Sequence, residues 1–210
     1  MKTDTIDDML MSITTPGLPP FYGEYGLWET ALVLPATASL RRGLPDRPVH
    51  AAAYFEAEVF ETDEVSVCLK APDKWPTEMQ FLNCRWLEHS DEDLVEAILA
   101  ALVAHVPILR DQYDFLDAEQ RDRVLPVDAT AEALRQHIRL RGVTILPVHS
   151  ATPYLGAAFD CDWDDEHGLG IVLYGAEIVE IGGADVAASE DRAEDHRAAF
   201  LANLAANGSS

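Results

Sequence analysis

At 210 residues the chain can bury a substantial core, and one domain or a closely packed pair is expected. Its 15 Lys and Arg residues against 37 Asp and Glu leave a formal net charge of -22. A field of that sign repels phosphate backbones and anionic lipid and attracts basic partners, so direct nucleic-acid or membrane-surface binding is not expected.

The acids are spread along the chain, so the charge belongs to the whole surface; it reads either as solubility or as a display to a basic protein. Met1-Lys2-Thr3-Asp4-Thr5-Ile6-Asp7-Asp8 carries acids where a secretory signal needs a basic start and an apolar core. No apolar run approaches the ~18 residues of a membrane span. Cys68, Cys84 and Cys161 are odd in number and far apart, which fits buried thiols in a reducing cytoplasm and not a disulfide framework.

Residues 1–26 read as a loosely ordered leader containing the breaker-rich segment Thr14 to Pro20. A single domain is expected over 27–188. It opens with an apolar strand from Leu27 to Leu34, bounded by Gly26 and Pro35. A basic loop, Arg41 to Pro48, follows. Phe55, Ala57 and Val59 alternate with acids, and Val65, Val67 and Leu69 alternate with Ser66 and Cys68, so a hairpin turning at Thr62-Asp63 is expected.

The period then becomes helical. Thr77 and Gln80 have capping-box spacing, with Met79, Leu82 and Trp86 on one face. Ser90 starts the next helix. Asp91, Glu92 and Asp93 complement its dipole, Leu94 to Val106 form its apolar stripe, and Pro107 marks its end. Asp117 and Gln120 suggest a capped turn. A further helix is expected from Asp128 through Leu134 and Ile138, with Arg135, Arg139 and Arg141 complementing its negative end and Gly142 stopping it.

From Val143 the β period returns, over Val143–Val148, Tyr154–Phe159, Leu169–Tyr174 and Ile178–Ile181. Gly175-Ala176 joins the last two as a tight hairpin. Residues 189–210 read as an Ala-rich helix, whose Phe200, Leu201 and Leu204 dock on the core, and a frayed tail. The order of elements implies an α+β fold, a mostly antiparallel sheet with helices packed on one face.

The densest chemistry is Asp160-Cys161-Asp162-Trp163-Asp164-Asp165-Glu166-His167. An EF-hand fails, because the sixth position from Asp160 is Asp165 and the twelfth is Ile171. A looser divalent-cation site from Asp160, Asp162, Asp164, Glu166 and His167 fits the oxygen donors that hard cations accept. The structural alternative has Asp164 or Asp165 bonding turn amides, Trp163 packing inward, and Gly168, Gly170 and Gly175 shaping the backbone. No other cofactor is implied. His149 and Ser150 are strand neighbours on opposite faces, Cys161 lies among carboxylates that blunt a thiol, and no catalytic residue is assigned.

The stretch Cys161-Asp162-Trp163-Asp164-Asp165-Glu166-His167-Gly168-Leu169-Gly170, followed by Val179 to Val186, resembles the C-terminal signature of an uncharacterised bacterial domain family, Cys-x-Trp-Asp-x-Glu-His-Gly-Leu-Gly. The family supplies no catalytic residue. Its resemblance to the small acidic proteins found beside polymorphic toxins implies an immunity or antitoxin-like partner of a basic toxin domain. The expectation is therefore a non-enzymatic, cytoplasmic, acidic interaction protein. The alternative is a divalent-metal-dependent hydrolase or metal-binding regulator using residues 160–167.

Overall fold

Alternation decides which way each strand faces. In the computed structural model, which describes residues 2–6, 10–24, 26–44 and 63–207, Val65, Val67 and Leu69 point into the core from β5 (Glu64–Lys70). They face Leu32, Thr30 and Trp28 of the antiparallel neighbour β4 (Leu27–Val33). Among the described residues one nine-stranded sheet runs in chain order through β1 (Lys2–Ile6), β2 (Leu10–Thr14), β3 (Phe21–Glu24), β4, β5, β6 (Ile138–Ile145), β7 (Tyr154–Cys161), β8 (Asp164–Tyr174) and β9 (Glu177–Gly182). Neighbours are antiparallel except β5 and β6, which are parallel. The fold is α+β.

A parallel pair needs a crossover, and α2 (Glu78–His89), α3 (Asp91–Gln112), α4 (Ala118–Val124) and α5 (Ala131–Arg135) supply it. These and α1 (Pro35–Ser39) pack on one face. Leu94, Ile98, Leu102 and Leu109 of α3 share a core with Val67, Ile145, Phe159 and Ile171 of the sheet. Thr77 and Gln80 close the expected capping box on α2, and Asp117 caps α4 through the Gln120 amide.

Several elements differ from the sequence reading. The span expected as a leader contributes three strands, because Ile13 and Phe21 are fully buried against the core. The buried face of α2 is Phe81, Cys84 and Leu87, while Leu82 is 47 % exposed. Helix α3 continues through Pro107 to Gln112; the lost amide donor is tolerated, and Leu109 beyond it is buried. The helix expected to reach Gly142 is a single turn capped by Thr130, and from Ile138 the chain is strand β6. The expected strand at Phe55 to Val59 lies outside the described residues, as do residues 45–48 of the expected basic loop and the tail 208–210. No described helix is long and apolar enough to cross a membrane.

The second face of β7 to β9 is covered by the C-terminal segment. A 3-10 turn, Ala184–Ala188, crosses Gly156 of β7 and Gly170 of β8, and α6 (Glu190–Asn207) lies beyond it. Ala193 of α6 is buried with Leu146, Val148, Tyr154 and Val172, and the Tyr154 hydroxyl lies 2.8 Å from His196 Nδ1. Phe200 packs on Tyr174 at 5.5 Å, but Leu201 and Leu204 stay exposed. A Cβ on Gly156 would lie 1.6 Å from Ala187 O. Gly156→Ala should therefore lower stability by about 3 kcal/mol or more. Gly142→Ala, whose Cβ would meet Ser66 O at 3.1 Å, should cost less; urea unfolding of both variants checks this order.

Candidate functional site

The acidic stretch folds as the hairpin joining β7 to β8, with Cys161 opposite Asp164 and Asp162-Trp163 as its turn. Trp163 is buried in the main core, and Gly168 has φ +68°, a conformation that residues with a Cβ avoid. Each of the first three carboxylates meets a different set of donors. Asp160 is buried and accepts from Arg139 Nη2 at 2.8 Å and Arg141 Nε at 2.6 Å. Asp162 pairs with His137 Nδ1 at 2.8 Å. Asp164 accepts from the Tyr113 hydroxyl at 2.8 Å and from the amides of Glu166 and His167 at 3.2 and 2.8 Å.

His167 and Glu166 are exposed, and His167 Nδ1 lies 3.2 Å from Asp164 Oδ1, whereas Asp160 faces Arg139 and Arg141 and Asp162 faces His137, so of the five candidate ligands an ion pair joins only Asp164 and His167. Among the described residues no group of three or more His, Cys, Asp and Glu side chains is arranged to hold a metal ion. Gly170 lies against Gly183 O, and Gly175 turns β8 into β9 with φ +60°. The thiols of Cys68 and Cys84 are pushed up to about 12, chiefly by burial, which makes them poor nucleophiles.

Arg139 and Arg141 were expected to complement a helix end; they are instead the cations of this hairpin. Ile138-Arg139-Leu140-Arg141 alternates apolar and basic residues, and that period-2 pattern is the signal of a strand. Arg139 stands directly across from Asp160 in the ladder, and Arg141 is the extra residue of a bulge between Leu140 and Gly142.

A second acidic region was less visible in the sequence. Of the three acids opening α3, Asp91 turns inward and accepts from Ala36 N at 2.7 Å and Thr37 N at 2.8 Å, which fastens the start of α1 to α3. Between α1, α3 and α5 runs a groove of about 520 Å³, with Ala36, Val95, Leu99 and Ala131 on its apolar floor and Glu92 and Glu96 on its rim. Through Ala36 and Glu92 it meets a hollow of about 380 Å³ that adds Glu88 and Asp93. These four acids are exposed. Arg135 lies at the groove and donates to Ser39 Oγ at 2.7 Å, which ties up the hydroxyl there. An apolar trough with an anionic rim suits recognition of a cationic, amphipathic segment; it has no activated nucleophile.

Burial pushes the Asp160 carboxyl up, and the bonds and charges of Arg139 and Arg141 more than reverse this, holding it below the usual carboxylate range. A depressed folded-state value stabilises the fold at neutral pH, and that contribution is lost as pH falls from the ordinary carboxylate range through the folded value. Asp160→Asn should cost about 3–5 kcal/mol at neutral pH by stranding two arginines. The gap to wild type should narrow towards about pH 3, where a free aspartate is itself protonated. Urea unfolding at the two pH values measures both.

No curated protein and no solved structure matches the chain. A family model described as a domain of unknown function (DUF6985) matches residues 47–188, which takes in β5 to β9, the helical crossover and the acidic hairpin, but not α1. That span is well over half of the chain's 210 residues, and the chain belongs to the DUF6985 family.

Proposed function

We propose that the protein is a non-enzymatic, cytoplasmic interaction protein that binds a basic partner protein through the groove along α3. The observation that carries the reading is the apolar floor of Val95, Leu99 and Ala131 bordered by exposed Glu88, Glu92, Asp93 and Glu96, in a chain of net charge -22. The anionic field accelerates encounter with a basic protein, and the accessible part of the floor, Ala36, Ala100 and Ala131 above the buried Val95 and Leu99, supplies contact area that water leaves on binding. An amphipathic helix laid in the groove, with its cations over the four carboxylates, matches a known recognition mode. A toxin domain neutralised by an immunity-like protein is the partner class that the Cys161–Gly170 signature suggests. Free thiols at Cys68, Cys84 and Cys161 accord with a reducing compartment. The metal-dependent alternative lacks comparable support, since Asp160 already has two arginines against it.

Capture from native cells with wild-type protein and with the double variant Glu92→Lys/Glu96→Lys tests this. Wild type should retain a basic protein in one-to-one complex, and binding should weaken steeply with added salt. The double variant should bind at least ~10-fold more weakly and lose part of the salt dependence, as rim charges do. A captured partner that is not basic, or equal affinity for the variant, would refute the groove as the binding surface.

A further inference from the structure

Strands β5 and β6 run parallel, with Val67 opposite Val143 and Leu69 opposite Ile145, so their carboxyl ends open on the same side of the sheet. Where parallel strands end is where ligands of α/β sheets commonly sit. Here the segments leaving β5 and β6 enclose a cleft of about 160 Å³ lined by Asp73, Trp75, Met79, Asn83, Val148 and His149, among others.

The polar residues of α2 in this cleft differ in how they are used. Gln80 is 3 % exposed and engaged at both ends of its carboxamide: Nε2 donates to Lys70 O at 2.6 Å and Oε1 accepts from Thr77 N at 3.0 Å. Asn83, one turn on, is 4 % exposed, lines the cleft, and its carboxamide bonds no described residue. With no protein partner described for it, this carboxamide opens onto the cleft, where solvent or a ligand can bond its donor and acceptor. The facing wall is held firmly. Trp75 packs against Trp28 at 5.3 Å, and Trp28 Nε1 donates to Lys74 O at 2.9 Å. Lys74 itself has φ +74°, a strained conformation of the kind found at ligand clamps.

Size and hydrogen-bonding capacity narrow the ligand. A cavity of about 150 Å³ holds one benzene ring. Asn83 offers an NH₂ donor beside a carbonyl acceptor, and the edge of another carboxamide or a lactam complements both. A carboxylate would leave the acceptor unmet and would enter beside Asp73 in a strongly anionic chain, whereas an ammonium would leave the donor unmet. We infer that this cleft binds a small uncharged carboxamide or lactam, on a body about the size of one ring, through paired bonds to Asn83 and contact with Trp75. The site is separate from the groove along α3, and its test is independent of any partner protein.

Benzamide is the probe, read by ¹H–¹⁵N correlation spectra of the full chain, with benzoate as its anionic counterpart. Benzamide should shift the Asn83 side-chain NH₂ and Trp75 indole N–H signals saturably, and benzoate should not. Asn83→Leu should abolish the response to benzamide while keeping the wild-type pattern of backbone amide signals away from the cleft. Failure of benzamide to produce a saturable shift, or an equal response to benzoate, would overturn the assignment. So would an undiminished response to benzamide in Asn83→Leu.

Discussion

Two parallel neighbours in a sheet cannot be joined by a tight turn, and β5 and β6 impose that constraint on an otherwise antiparallel, sequential sheet. The chain between Lys70 and Ile138 has to leave the sheet at one end and re-enter at the other. It does so as four helices, the longest of which, α3, spans roughly 33 Å at 1.5 Å per residue. Their apolar stripes cover the face presented by Val65, Val67 and Leu69. The same geometry leaves two open features: a cleft where β5 and β6 end together, and a groove where α3 passes α1 and α5. Both are by-products of one crossover.

Charge is divided between the interior and the surface in a consistent way. Cations are scarce, and many are tied to the fold: Arg139 and Arg141 to Asp160, Arg110 to Leu125 O and Asp122, Arg41 to Glu64 O, Arg85 to Pro16 O, and Lys70 to Ala188 O and Glu190. Positive charge thus goes largely into bonding carbonyls and acids of the fold, while Glu88, Glu92, Asp93 and Glu96 of α2 and α3 face outward. Self-repulsion in such a surface opposes folding, and a basic partner would relieve it. The acidic hairpin belongs to the interior part of this division. Its most buried carboxylate is neutralised by two strand arginines, and Asp164 is committed to turn amides and Tyr113.

Features with a local period were legible in the residues. The alternation of Val65 to Leu69, the Thr77/Gln80 box, the stripe from Leu94 to Val106, the Asp117 cap and the Gly175-Ala176 hairpin each carry their own instruction within about ten residues. What escaped depends on distant partners. Arg139 and Arg141 after Leu134 look like the end of a helix until Asp160 stands opposite, and the β ladder then outweighs the helical propensity of the segment. Breakers between Thr14 and Pro20 suggest a loose lead-in, yet Ile13 and Phe21 on either side are buried by residues far along the chain. Of the candidate residues, Trp163 packs inward and Gly175 makes a turn as the residues suggest, while Gly168 and Gly170 lie within β8 and not in the turn of the acidic hairpin. The groove was not readable, because Val95 and Leu99 read as core, and only the placement of α1 and α5 turns that stripe into an accessible trough.

At the centre of this account is the claim that the buried carboxylates of Asp91 and Asp160 are satisfied within the protein while the outward acids of the α3 groove recognise a basic macromolecule. Hydrogen exchange of the purified complex, compared with the free chain, would locate the contact directly. Slowed exchange should concentrate in α1, the first turns of α3, and α5. A footprint confined to residues 160–167, with the groove exchanging as in the free protein, would contradict the account.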